Sequence, residues 1–227
     1  MELDILFEDD FLVAIHKPAG LLVHRTKLAK DATEFALQIL RDQIDHKVFP
    51  VHRLDRKTSG VLLFAKDQET NRIMQTQFME REVGKRYKAI VRGWTDDEGT
   101  IDYALTNESG SEQEAVTHFK TLLRSEINLP NGKFSTARFS LVELNPETGR
   151  MHQLRKHLAH IFHPIIGDRP HGCNKQNKLF KEHFSMMEMM LHAEKLTFKH
   201  PKSGGDILIQ STIRGEFKRM LLELHLD

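Results

Sequence analysis

Short apolar runs separated by turn-forming clusters dominate the chain, and helical spacing is confined to a few stretches. Residues 5–7 and 11–15 are apolar runs around the turn-like pair Asp9 and Asp10, and Lys17-Pro18-Ala19-Gly20 ends the second. Residues 61–65, VLLFA, are continuously apolar and predict a buried strand. Further strands are predicted over 87–91, 117–123 and 139–144, with a hairpin from 191–198 and 206–211 turning over 201–205. Helical spacing covers 33–44, where Phe35, Leu37, Ile39, Leu40 and Ile44 share a face. It recurs from an Asp67 N-cap to about Glu80, over about 150–162, and in a C-terminal helix holding Phe217, Met220, Leu221 and Leu224. Strands joined by both hairpins and helices imply a mixed sheet with helices packed on it. The pattern predicts a single α+β domain over residues 1–227.

Composition narrows the class. The 227 residues are 39% hydrophobic, an ordinary globular value with enough chain to bury a core. No stretch approaches the roughly 18 consecutive apolar residues of a membrane span. The acidic start, MELDILFEDD, lacks the layout of a secretory signal. One cysteine, Cys173, excludes an intramolecular disulfide framework and a Cys-rich zinc module. The expectation is a cytoplasmic protein with no membrane association.

Charge matters by distribution. The 33 Lys+Arg against 32 Asp+Glu leave +1, which by itself weighs against a nucleic-acid binder. Yet 95–114 holds seven acids and no Lys or Arg, a pattern that fits a solvated hairpin edge or loop. Residues 81–92 carry Arg81, Lys85, Arg86, Lys88 and Arg92 against Glu82 alone. Residues 150–171 carry Arg150, Arg155, Lys156 and Arg169 plus five histidines, against Asp168 alone. His157, His160 and His163 recur every third residue, but that spacing drifts around a helix and no HExxH or Cys/His pattern is present, so no metal is expected.

Two segments carry candidate chemistry. In residues 51–60 a loop holding Asp55 between Arg53 and Arg56 leads into the buried run at 61–65. Nearby positive charge favours the ionised carboxylate, fit to act as nucleophile, base or metal ligand, or to anchor the turn by pairing with either arginine. Thr58, Ser59 and Gly60 are turn-forming. In residues 148–164, Met151, Leu154, Leu158, Ile161 and Phe162 form one apolar stripe at helical spacing, with Arg155 at its border. An arginine there requires an anionic partner, and Asp55 is a candidate.

The run His52-Arg53-Leu54-Asp55-Arg56-Lys57-Thr58-Ser59-Gly60 closely resembles the HRLD-x-x-TSG signature of the pseudouridine synthases of the RluA family. Further landmarks follow in family order: His16 to Gly20, Lys85 to Gly93, Thr148 to His157, His163 to Asp168, and Leu191 to Pro201. Where many relatives have Tyr-Gly, this chain has His171-Gly172. The resemblance implies a largely antiparallel sheet flanked by helices and no S4 RNA-binding domain. Residues 91–94, 115–118 and 154–160 liken the chain to tRNA-directed members, which implies tRNA as partner and the uridine at position 65 in the T arm as target. It implies isomerisation of uridine to pseudouridine without cofactor, with Asp55 as the catalytic carboxylate. Tyr87 is implied to stack on the uracil, Leu154 to line the pocket, Arg155 to pair with Asp55, and Arg53 to displace the target nucleotide. Lys85, Arg86, Lys88, Arg150 and Lys156 are candidate phosphate contacts, and the histidine excess is expected at motif and RNA-facing positions. A monomer without obligatory protein partner is expected. The alternatives are a synthase acting on rRNA and a non-catalytic RNA-binding or chaperone module.

Overall fold

The computed structural model describes residues 1–24, 34–130 and 133–227. The chain opens with β1 (Asp4–Glu8), β2 (Leu12–Lys17), α1 (Ala36–Gln43), β3 (Phe49–Pro50), β4 (Ser59–Ala65) and α2 (Gln68–Met79). It continues with β5 (Gly84–Arg92), β6 (Glu98–Asp102), β7 (Leu105–Thr106), β8 (Glu112–Gln113), β9 (Val116–Ile127) and β10 (Ala137–Pro146). It ends with α3 (Gln153–His160), α4 (Asn174–Phe184), β11 (Leu191–Lys199), β12 (Asp206–Gln210) and α5 (Gly215–Glu223). The result is the expected α+β class, with mostly antiparallel strands and helices packed against them. Two compact units form, one from Met1–Lys85 and Ala193–Thr212, the other from Arg86–His192 and Ile213–Asp227. Among the described residues no helix is long and apolar enough to cross a membrane.

In the first unit β2 lies between β1 and β4, all antiparallel, and β12 pairs with β11 as the predicted hairpin. Leu12, Ala14, Val61, Leu63, Met74, Leu196 and Phe198 form its core. Asp67 caps α2 as expected, accepting from the Thr70 amide at 2.8 Å and the Thr70 hydroxyl at 2.6 Å. Helix α1 falls within the predicted 33–44, of which residue 33 lies outside the described residues.

In the second unit the strand order is β5-β10-β9-β6, with β7 and β8 as a separate small ladder. Ile90, Phe139, Val142, Leu144, Leu158, Phe180, Phe217 and Met220 belong to its core. The acidic stretch supplies β6, last in this order, with Glu98 and Asp102 exposed. Helix α3 is shorter than its predicted span, because His152 (φ 56°) and Phe162 (φ 65°) turn left-handed at its two ends. Met151 and Phe162 therefore leave the predicted stripe and are exposed, while Leu154 and Leu158 stay buried. Four of the motif histidines turn inward. His16, His157, His192 and His200 are buried, and His16 meets the Ser211 hydroxyl at 2.6 Å, inside the protein and not toward RNA.

The end of β2 fixes the neighbouring loops. Lys17 is fully buried, and its ammonium donates to the carbonyls of Pro18 (2.9 Å), Leu21 (2.8 Å) and Arg56 (3.1 Å). The Gly20 amide donates to the same Arg56 carbonyl at 2.8 Å. Beyond this loop, Gly60 sits at φ 113°, where an added Cβ would lie 2.1 Å from the Ala193 carbonyl oxygen, so only glycine fits. His52 stacks on Phe78 of α2 (5.0 Å between centroids), and its Nε2 accepts from the Leu63 amide at 3.1 Å. Desolvation, aided by the Lys85 charge, lowers its pKa to about 4.

Two outcomes are expected. Lys17→Met leaves carbonyls without their cation and costs about 2–4 kcal/mol, read as a lower urea midpoint. His52 is harder to protonate folded than unfolded, so stability is complete above about pH 6.5 and falls as the pH drops toward 4. The loss is on the order of 2–3 kcal/mol, and His52→Gln flattens that acid limb in melts from pH 7 to 4.

Candidate active site

The Asp55 loop is a tight turn built by local hydrogen bonds. The Asp55 carbonyl accepts from the Thr58 amide at 3.1 Å, which puts the aspartate at the first position of a β-turn, where Asp is favoured. Thr58 is buried behind it, and Asp55 is half-buried with Arg53 exposed beside it. The Arg56 Nε donates to the Gly20 carbonyl at 3.0 Å. The backbone on both sides of Gly20 is thus bound to Arg56, directly after the carboxylate. Lys85, also in the first unit, has its pKa lowered to about 8 by burial and then by the Arg81 charge.

The second unit holds the other candidates. Tyr87 is half-buried on β5 opposite Leu144 of β10, packed against the core. Side chains alternate along a strand, so Tyr87 shares a face with Ala89 and Val91 while Arg86, Lys88 and Arg92 share the other. Of the four cations on this strand, Lys85 alone falls on the face of Tyr87. Arg86 is committed to Glu143, with Nε 3.4 Å from Oε2. Arg150 donates to the Glu114 carbonyl at 3.0 Å, and the Lys156 ammonium lies 3.4 Å from the Thr106 carbonyl. These contacts tie Arg150 and Lys156 to the backbone of the acidic stretch.

Helix α3 brings Leu154 and Arg155 into the buried interior of this unit. Arg155 meets Asp168 through Nε–Oδ2 at 2.7 Å and Nη2–Oδ1 at 2.8 Å, with the two residues 7% and 1% exposed. This is a two-pronged buried ion pair, the strongest geometry available to such a pair. The carboxylate also accepts from the His171 amide at 3.3 Å. Asn177 of α4 fastens the backbone around it, donating to the Asp168 carbonyl at 2.7 Å and accepting from the Gly167 amide at 2.9 Å. The role of Asp168 is not readable from local sequence, since its partner lies on a different element. The departure at His171 also has a place: its Nε2 is 3.0 Å from His152 Nδ1, a bond across the start of α3.

The histidines of the second unit are engaged one by one. His157 is fully buried, with Nδ1 3.0 Å from the Thr117 hydroxyl and Nε2 3.0 Å from the Tyr103 carbonyl. A carbonyl only accepts, so Nε2 carries the hydrogen, and burial lowers the pKa and keeps the ring neutral. His160 stacks on Tyr103 at 3.7 Å between centroids, and His163 Nδ1 donates to the Arg92 carbonyl at 2.8 Å. Among the described residues no group of three His, Cys, Asp or Glu side chains is placed to hold a metal ion.

The model of the RNA pseudouridylate synthase family matches residues 11–160. The chain is 44% identical to tRNA pseudouridine synthase C of Vibrio parahaemolyticus, covering 100% of this chain and 97% of that protein. It is 47% identical to tRNA pseudouridine synthase C of Haemophilus ducreyi, over 97% and 95% of the two chains. Among solved structures, human RNA Pseudouridylate Synthase Domain Containing 4 shares the fold with a TM-score of 0.77 at 24% identity, covering 98% of this chain and 93% of that one. With the motif loop, the strand tyrosine and the helix arginine all present in a fold of this kind, the chain belongs to the RNA pseudouridylate synthase family.

Proposed function

We propose that this protein isomerises a uridine of tRNA to pseudouridine, with Asp55 as the catalytic carboxylate. The observation that carries the reading is the Asp55 turn itself, a half-buried carboxylate on a loop fastened by Lys17, Gly20 and Thr58. Such fixation holds the group in one geometry before substrate arrives. The family membership and the names of the tRNA-directed relatives support the substrate class. The reaction breaks the N1–C1′ bond, turns the base and forms C5–C1′; the hydrogen leaves C5 and N1 gains one, so nothing is oxidised and no co-reactant is consumed. Tyr87 stacks on the uracil and takes part in removing the C5 proton, Leu154 lines the pocket, and Arg155 pairs with the catalytic carboxylate. The target is the uridine at position 65 in the T arm. A base inside a stem must leave the stack first, at a few kcal/mol, and Arg53 occupies its place. Lys85, Lys88, Arg150 and Lys156 contribute phosphate contacts, with Arg86 the weakest candidate because Glu143 already neutralises it.

Tritium release from tRNA carrying [5-³H]uridine tests this directly. The wild type releases tritium, and Asp55→Asn lowers the rate by about 10³-fold or more with tRNA still bound. No release from tRNA by the wild type, with release from rRNA instead, moves the substrate class; full activity of Asp55→Asn removes the aspartate from the chemistry. A second set of variants separates structure from binding at Arg155. Asp168→Ala alone removes the two-pronged partner of a buried guanidinium and costs about 3–5 kcal/mol, while adding Arg155→Met recovers part of that stability. Activity does not return in the double variant, because the arginine that serves the substrate is gone.

A further inference from the structure

At the far end of β5 from Tyr87 the second unit has an open cavity of about 470 Å³, lined among others by Arg92, Phe162, His163, His171, Gly172 and Cys173. No carboxylate side chain lines it. Arg92 is exposed, and among the described residues its guanidinium has no carboxylate partner. His163 gives its Nδ1 hydrogen to the Arg92 carbonyl, which leaves Nε2 as its unused ring nitrogen.

Phe162 ends α3 as Arg81 and His225 end α2 and α5, on a left-handed backbone, but it does so with a wholly apolar ring. The His163 amide donates to the Leu158 carbonyl at 2.8 Å and the Phe162 amide to the Ala159 carbonyl at 3.0 Å, the paired bonds of a Schellman helix end. Phe162 fills the left-handed position of that motif at φ 65°, where glycine costs nothing and a residue with a Cβ costs about 1–2 kcal/mol. Its ring recovers none of this by packing, since the residue is 86% exposed. A bare aromatic ring at the mouth of a cavity whose one formal charge is positive suits a planar, anionic ligand.

We infer that the Phe162–Arg92 cavity is a second RNA subsite, in which an unpaired base stacks on Phe162 and its phosphate meets Arg92. This deepens the tRNA reading and rests on it. Five residues of strand separate Arg92 from Tyr87, roughly 17 Å, so the nucleotide held here is not the one that reacts. Arg92 ends β5 at the surface, and the cavity opens beside it. The open geometry favours a nucleotide within a longer RNA over a free mononucleotide: one exposed ring and one guanidinium add to a larger footprint and do not enclose a small ligand.

The test uses the full chain with tRNA and two variants. Phe162→Gly suits the left-handed backbone, so its melting temperature rises or holds, yet it weakens tRNA binding from about 5-fold to more than 100-fold. Arg92→Gln weakens binding and lowers the slope of log affinity against log salt by about one. In tritium release the Phe162→Gly defect falls on KM more than on kcat. Wild-type affinity in both variants overturns the subsite, as does a change confined to self-association of the RNA-free protein. Absence of tritium release from tRNA in the wild type is a different result and defeats the tRNA reading itself.

Discussion

A single buried ammonium holds together the part of the first unit on which its chemistry depends. Lys17 ends a strand whose six residues are all buried, so its charge has no route to water and is satisfied by backbone oxygens. Two of the carbonyls belong to the turn that follows β2, and the third belongs to Arg56, next to Asp55. The cost of burying the charge is offset only when all these carbonyls converge. A loop that drifted would strand the cation, and so the position of the carboxylate is tied to the stability of the strand. The glycine at position 60 acts with it, since β4 can start immediately after the turn only where no Cβ meets Ala193.

The second unit uses a different device for the same purpose. Arg155 and Asp168 are each too buried to stay charged alone, and their two-pronged contact fixes the rotation of α3 about its axis. That rotation places Leu154 one step along the same turn. Asn177 ties α4 to the backbone beside Asp168, so its side-chain amide and the ion pair together help to hold the 165–173 segment. Each unit has its own apolar core, and in each a buried cation orders the irregular backbone next to it.

Much of this was legible in the sequence where local pattern decides structure. The run at 61–65 reads as a buried strand, and Asp67 ahead of helically spaced apolar residues reads as a helix start. The Asp55 motif was equally plain, and family membership bears out the resemblance that it carries. What stayed hidden depends on contacts distant in sequence or on backbone handedness. Lys17 reads as a turn-breaker because the carbonyl of Arg56 lies 39 residues away. Helix α4 was missed because its 11 residues are mostly polar, and Phe180 alone among its apolar residues is fully buried. Periodicity over 150–162 could not register that the backbone reverses hand at both ends. Net charge misled for a related reason: Arg86 with Glu143, Arg124 with Asp97 and Arg138 with Glu126 are local pairs, so a sum over the chain says little about which cations remain for phosphate.

The two ends of α3 show how strain and function are distributed in this unit. His152 before the helix and Phe162 after it both adopt left-handed backbone, and neither is the glycine or asparagine that such positions favour. Together they sacrifice on the order of 2–4 kcal/mol, a large share of the stability of a typical domain. His152 recovers part of its cost through the bond to His171. Phe162 recovers none inside the protein, although a glycine there would close the same Schellman bonds without strain. Arg81 and His225 close α2 and α5 with the same pair of bonds, so what sets Phe162 apart is not its backbone but a bare ring open to a ligand. The cavity beside it, lined by arginine and histidine and free of carboxylate side chains, defines the chemistry of that ligand more narrowly than the overall charge of the protein ever could.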